Sequence, residues 1–99
     1  MILTLKAKED FEKWYIKKDV SDDEFYNIWE EWSNLSTSCK NAFYIDFFDS
    51  VGIYINALRY NKQWWKAIAE YEYARIFNSR QEALTKAIEK ANKIYNEKI

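Results

Sequence analysis

A chain of 99 residues with 31% charged residues and a net charge of −1 is long enough for one domain with its own core, spanning residues 1–99, and is not a disordered segment. The near-neutral balance argues against a general polyanion binder, which is as a rule basic overall. With no histidine, one cysteine, one glycine and no proline, the chain lacks the commonest general base and metal ligand. It cannot build a Cys/His zinc site, an intrachain disulfide or a glycine-rich phosphate loop.

Thr4 can cap a first helix over residues 5–18, in which Ala7, Phe11, Trp14 and Tyr15 recur at the i, i+4, i+7, i+8 spacing of one buried face. Glu9 and Lys13 make an outward i, i+4 pair, and Lys17 and Lys18 complement the dipole in the last turn. Ser21-Asp22-Asp23-Glu24 reads as a capping box. It opens a second helix, about 22–33, whose stripe is Phe25, Ile28, Trp29 and Trp32.

Ser36 predicts the N-cap of a third helix. Phe43, Tyr44, Ile45, Phe47, Phe48 and Val51 spread around most of its circumference, and only Asp46, Asp49 and Ser50 form a polar stripe. A helix that is apolar nearly all round is buried on several sides. Gly52 stands where a left-handed C′ residue ends such a helix. Cys39 reads either as a reactive thiol near the helix start or, more economically, as a small residue on the buried face with Phe43 and Phe47. The pair Asp46/Asp49 and the cluster Asp22–Glu24 are more simply a solvated stripe and helix-start electrostatics than cation sites.

After Gly52 the pattern changes to alternation over residues 53–60, followed by the turn Asn61-Lys62-Gln63 and a return over 64–69. A third strand is expected over 73–77 after a turn at 70–72. Residues 64–76 also have fair helix propensity, so a helix is the alternative there. If Tyr60 pairs with Trp64, then Tyr54, Asn56, Leu58, Tyr60, Trp64, Lys66 and Ile68 share one amphipathic face. Ile53, Ile55, Ala57, Trp65, Ala67 and Ala69 share the other, small enough for close approach of a helix. Ser79 and Glu82 form a second capping box for a helix over 80–97 with the stripe Leu84, Ala87, Ile88, Ala91, Ile94 and Tyr95. Lys86, Glu89, Lys90 and Lys93 face water. The expected fold is therefore α+β: three N-terminal helices, a small antiparallel sheet of two or three strands, and a long amphipathic C-terminal helix.

The segments KAKEDFEKW, FFDSVGIYI and NSRQEALTKAIEKANKIYNE resemble a set of short, uncharacterised phage- and prophage-encoded proteins, whereas Asn61–Ala74 carries little of the likeness. The resemblance implies a mobile-element origin and a protein that binds a host macromolecule stoichiometrically, for example to inhibit a bacterial defence system such as a CRISPR effector. It carries over no catalytic or binding residue.

From the residues themselves, no enzyme, cofactor or metal is expected. The five Trp, eight Tyr and six Phe exceed what a small core needs, so part of that area is expected at the surface. The candidate binding residues are Tyr54, Leu58, Tyr60, Trp64 and Lys66. The alternative is single-stranded nucleic-acid (RNA) binding by aromatic stacking, with Arg59, Lys62 and Arg80 as candidate contacts. A host protein or ribonucleoprotein is the expected partner, and a homodimer is a further candidate. No signal peptide or membrane span is expected, and the expected location is the host cytoplasm.

Overall fold

The computed structural model describes residues 1–18, 28–70 and 72–98. Among them the chain forms α1 (Leu5–Lys18), α2 (Ile28–Asn34), α3 (Thr37–Ser50), β1 (Ile55–Arg59), β2 (Trp65–Ala69), β3 (Glu72–Phe77) and α4 (Arg80–Glu97), an α+β arrangement. The capping box at Ser21–Glu24 and Phe25 of the expected second stripe lie outside the described residues.

The first helix presents the expected face: Ala7, Phe11 and Tyr15 are buried and Trp14 half-buried. Phe11 is the hub of an aromatic cluster. Its ring centroid lies 5.1–5.9 Å from those of Trp14, Tyr15, Trp32, Tyr44 and Phe47. Tilted and edge-on pairs at such distances add about 0.5–1.5 kcal/mol each beyond area burial. This cluster, drawn from α1, α2 and α3, absorbs most of the aromatic surplus of the composition.

The cap of α1 is not the expected one. The Thr4 N–H donates to Asn92 Oδ1 at 2.9 Å and the Ala7 N–H to Asn96 Oδ1 at 2.8 Å. Asn96 thus takes the Ala7 donor that a Thr4 hydroxyl was expected to serve, Asn92 takes the N–H of Thr4 itself, and Thr4 Oγ1 instead accepts from Asn92 Nδ2 at 3.0 Å.

Helix α3 begins as expected, with the Ser36 hydroxyl accepting from the Cys39 N–H at 3.2 Å. Its rotation differs from expectation. Asn41, Tyr44, Phe47 and Phe48 face inward, while Cys39 is exposed. The helix has apolar residues on nearly every side, so its own pattern does not choose an inner face; packing against α1 and α4 does. The stop is a Schellman motif: Ile53 N–H donates to Phe48 O at 2.8 Å and Gly52 N–H to Asp49 O at 3.1 Å, with Gly52 at φ +85°. Ile53 and Phe48, the residues this motif brings into apolar contact, are both buried.

Within the stretch 64–76 the described elements are the strands Trp65–Ala69 and Glu72–Phe77, and none of its described residues is helical. The sheet order is β1-β2-β3, antiparallel throughout. Ile55 pairs with Ala69, Ala57 with Ala67 and Leu58 with Lys66. Glu70, which follows β2, takes φ +58°, the left-handed conformation that tight hairpin turns use. A bulge shifts the β2–β3 register between Lys66 and Ile68.

Helix α4 lies across all three strands and also meets α1 and α3. Where helix and sheet meet, Ala83, Ala87 and Ala91 are fully buried, as are Ala67 and Ala69, with Ala57 nearly so. Small residues on both surfaces let the helix backbone approach the sheet closely. The molecule measures 48 × 30 × 17 Å. The short dimension holds one helix layer and one sheet layer, since a packed pair of layers is spaced by about 10 Å.

Candidate interaction face

The hairpin joining β1 to β2 is built by its own polar residues. Tyr60 N–H donates to Trp64 O at 2.9 Å. Asn61 Oδ1 accepts from the N–H groups of Gln63 and Trp64 at 2.8 and 2.9 Å, the turn-forming use of an asparagine side chain. Arg59 closes the other side: Nε donates to Asn61 O at 3.1 Å and Nη2 to Lys62 O at 3.0 Å. The expected Tyr60–Trp64 register is the one found. Leu58 stands opposite Lys66 and Asn56 opposite Ile68.

This register puts the candidate residues on the sheet face opposite α4, and no described helix covers that face. Tyr54, Leu58, Tyr60 and Ile76 keep 52%, 46%, 53% and 44% of their surface exposed. Trp64 is half-buried and lines a shallow depression of ≈ 330 Å³ with Tyr60, Asn61 and Ile76. Lys66 Nζ lies 4.9 Å from the Tyr60 ring centroid, a cation–π arrangement. The Tyr54 hydroxyl accepts from Asn56 Nδ2 at 2.8 Å, which orients both side chains. Ile68 shares the face by register yet is only 7% exposed, as a central-strand residue between two neighbours.

Trp65 points the other way and packs against the core. Ile76 is the residue that sequence reasoning left out. Its signal was the third strand itself, because pairing with Lys66 sets it beside the open face.

The candidate basic residues do not gather on this face. The Arg59 guanidinium lies 5.5 Å from the Trp65 ring centroid, on the core side of the hairpin, and is engaged by the turn carbonyls. Lys62 is exposed at the turn tip. Arg80 is exposed at the start of α4, three residues beyond Phe77, which pairs with Trp65. Lys62 and Arg80 thus stand at the hairpin end of the sheet. Among the described residues no group of three or more acidic or cysteine side chains is placed to hold a metal ion, and no helix is long and apolar enough to cross a membrane.

No protein-family model matches the chain, and neither a curated protein nor a solved structure matches it.

Proposed function

We propose that this is a small interaction protein of phage type that binds a host protein or ribonucleoprotein stoichiometrically in the host cytoplasm, with a bacterial defence effector such as a CRISPR nuclease as the leading class of target. The contact surface is the open sheet face, with Tyr54, Leu58, Tyr60, Trp64 and Lys66 as the binding residues and Ile76 beside them. The observation that supports this reading is the exposure of four large apolar or aromatic side chains on one rigid sheet surface. Tyr and Trp supply large, stiff contact area at small entropic cost and often dominate interface energies.

A second reading is single-stranded RNA binding. The neighbouring Tyr60 ring and Lys66 ammonium support it, since bases stack on aromatics beside a cation. The Arg59 guanidinium, occupied by turn carbonyls and Trp65, favours the protein partner instead.

Affinity capture from bacterial lysate, with protein and RNA both identified, tests the two readings. A single protein species retained at 0.5 M salt by the native chain and lost with Tyr60→Ala supports the first. Retention of RNA that falls steeply with salt supports the second. Equal retention by native and Tyr60→Ala chains removes the sheet face from consideration.

A further inference from the structure

The depression at the hairpin end of the open sheet face has a chemistry that narrows the choice of occupant. Tyr60, Trp64 and Ile76 make it mainly apolar, and Asn61 is its one polar side chain. Its ≈ 330 Å³ lies at the small end of ligand pockets. The hairpin that carries it is fixed in advance. Asn61 Oδ1 holds the Gln63 and Trp64 N–H groups, and the Arg59 guanidinium holds the carbonyls of Asn61 and Lys62. Little ordering is therefore lost when a partner docks there.

The charge around the depression has one sign. Lys62 follows Asn61 at the exposed tip of the turn. On the other side, Lys66 Nζ lies 4.9 Å from the Tyr60 ring centroid, and Lys66 stands opposite Ile76 in the sheet. Residues 51–69 and 73–81 contain no Asp or Glu. Of the two acidic residues between those stretches, Glu70 is ion-paired with Lys98, and Glu72 stands opposite Ala69 at the end of β2 far from the hairpin. A chain of net charge −1 thus sets its apolar hollow between cations.

We propose that the occupant is a short acidic segment of a protein partner, in which an aromatic residue is flanked by carboxylates. This rests on the reading of the sheet face as the contact surface. The aromatic side chain fills the depression between Tyr60 and Trp64, and the carboxylates meet Lys62 and Lys66. Charge decides against a second copy of the chain. A two-fold interface buries the same patch on both copies, so it would set Lys62 and Lys66 against the same cations with no carboxylate to compensate. Charge and geometry also decide against RNA. The chain as a whole is slightly acidic, and Arg59, the side chain best shaped for phosphate, is taken up by the turn.

Fluorescence anisotropy of a fluorescein-labelled peptide, Gly-Asp-Glu-Phe-Asp-Glu-Gly, titrated with the native chain at pH 7 tests the proposal. Saturable 1:1 binding is expected. Affinity should fall about tenfold or more when Phe is replaced by Ala, and likewise when the acidic residues are replaced by Lys. The double variant Lys62→Gln/Lys66→Gln should lose a similar factor with an unchanged melting temperature, and Lys93→Ala on the far helix should bind as the native chain does. Absence of saturable binding at about 1 mM overturns the proposal. So does equal binding of the acidic and lysine peptides, or tighter binding of a ten-nucleotide oligouridylate. These peptide comparisons use the native chain and stand even if the double variant does not fold. Capture from lysate separates the proposal from the reading beneath it. A target lost with Tyr60→Ala yet kept by the double variant leaves the sheet face as the contact surface and overturns the acidic segment. A target kept by both variants overturns the sheet face itself.

Discussion

The Tyr95 hydroxyl donates to Asp10 Oδ2 at 2.5 Å and so ties the last helix to the first across 85 residues of chain. Desolvation by burial, together with the hydrogen bond to Asp10, pushes the Tyr95 phenol up to about 12. The same hydrogen bond, aided by Lys6 at 3.1 Å, holds the Asp10 carboxyl below its ordinary value. The two shifts act at opposite ends of the pH scale. A lowered Asp10 contributes stability that is present above its unfolded pKa, near 4, and lost as pH falls through the folded value. A raised Tyr95 contributes stability that is present below its unfolded pKa, near 10, and lost as pH rises through about 12. Tyr95→Phe should lower stability by about 1 kcal/mol at pH 7, discounted for the part-exposed carboxylate. It should also flatten both flanks of the stability–pH curve. Urea melts of the two proteins from pH 3 to pH 11 check this, and parallel curves would separate the pair from the pH response.

Gly52 is expected to resist substitution for a reason that is purely backbone. A Cβ at this position would meet no atom within 4 Å, so space is not the constraint; the φ of +85° is. Gly52→Asn should cost little, Gly52→Ala about 1 kcal/mol and Gly52→Val up to about 3 kcal/mol, following tolerance of the left-handed region. Denaturant midpoints with a constant m-value would read this order. An unchanged midpoint for valine would mean that the helix stop does not depend on the glycine.

The helix–sheet seam should be sensitive in both directions of volume. Leu84→Ala, which empties a buried site, should cost about 2–4 kcal/mol. Ala87→Leu, which overfills the fully buried seam with the sheet alanines, should cost about 1–3 kcal/mol. Lys93→Ala, on the exposed side of the same helix, should be near neutral. Thermal melts of the three variants rank them; a destabilised Lys93→Ala beside a stable Ala87→Leu would place α4 in another rotation.

Adjacent tryptophans should separate stability from binding. Trp65 packs on the core and carries the Arg59 guanidinium, so Trp65→Ala should lower stability by about 2–3 kcal/mol. Trp64 lies in the open depression with Tyr60 and Ile76. Trp64→Ala should stay within about 1 kcal/mol of native stability while abolishing partner capture or self-association. Melts combined with light scattering and pull-down decide between them. Loss of folding in Trp64→Ala with native stability in Trp65→Ala would reverse the roles.

What was legible from the residues alone was local. The start of α4 follows from its Ser79 cap and its inner face from a 3.6-residue apolar period, the buried face of α1 follows from the same period, and the stop of α3 follows from the sole glycine. The hairpin register follows from a turn whose asparagine makes its own bonds. Each of these is decided within about four residues of chain, where backbone sterics and neighbouring hydrogen bonds act. Tertiary structure decided the rest. Residues 64–76 have propensities for both states, and pairing with β1 on one side and α4 on one face selects strand. Helix α3 has no dominant apolar side, so only its neighbours turn Asn41 inward and Cys39 outward. The amides that cap α1 come from Asn92 and Asn96, 88 and 89 positions away. Which sheet face stays open was likewise undetermined by alternation, because both faces carry apolar residues. The alanines on one face admit α4 at close range, and with the aromatic residues of α1, α2 and α3 gathered around Phe11, no described helix is left to cover the other.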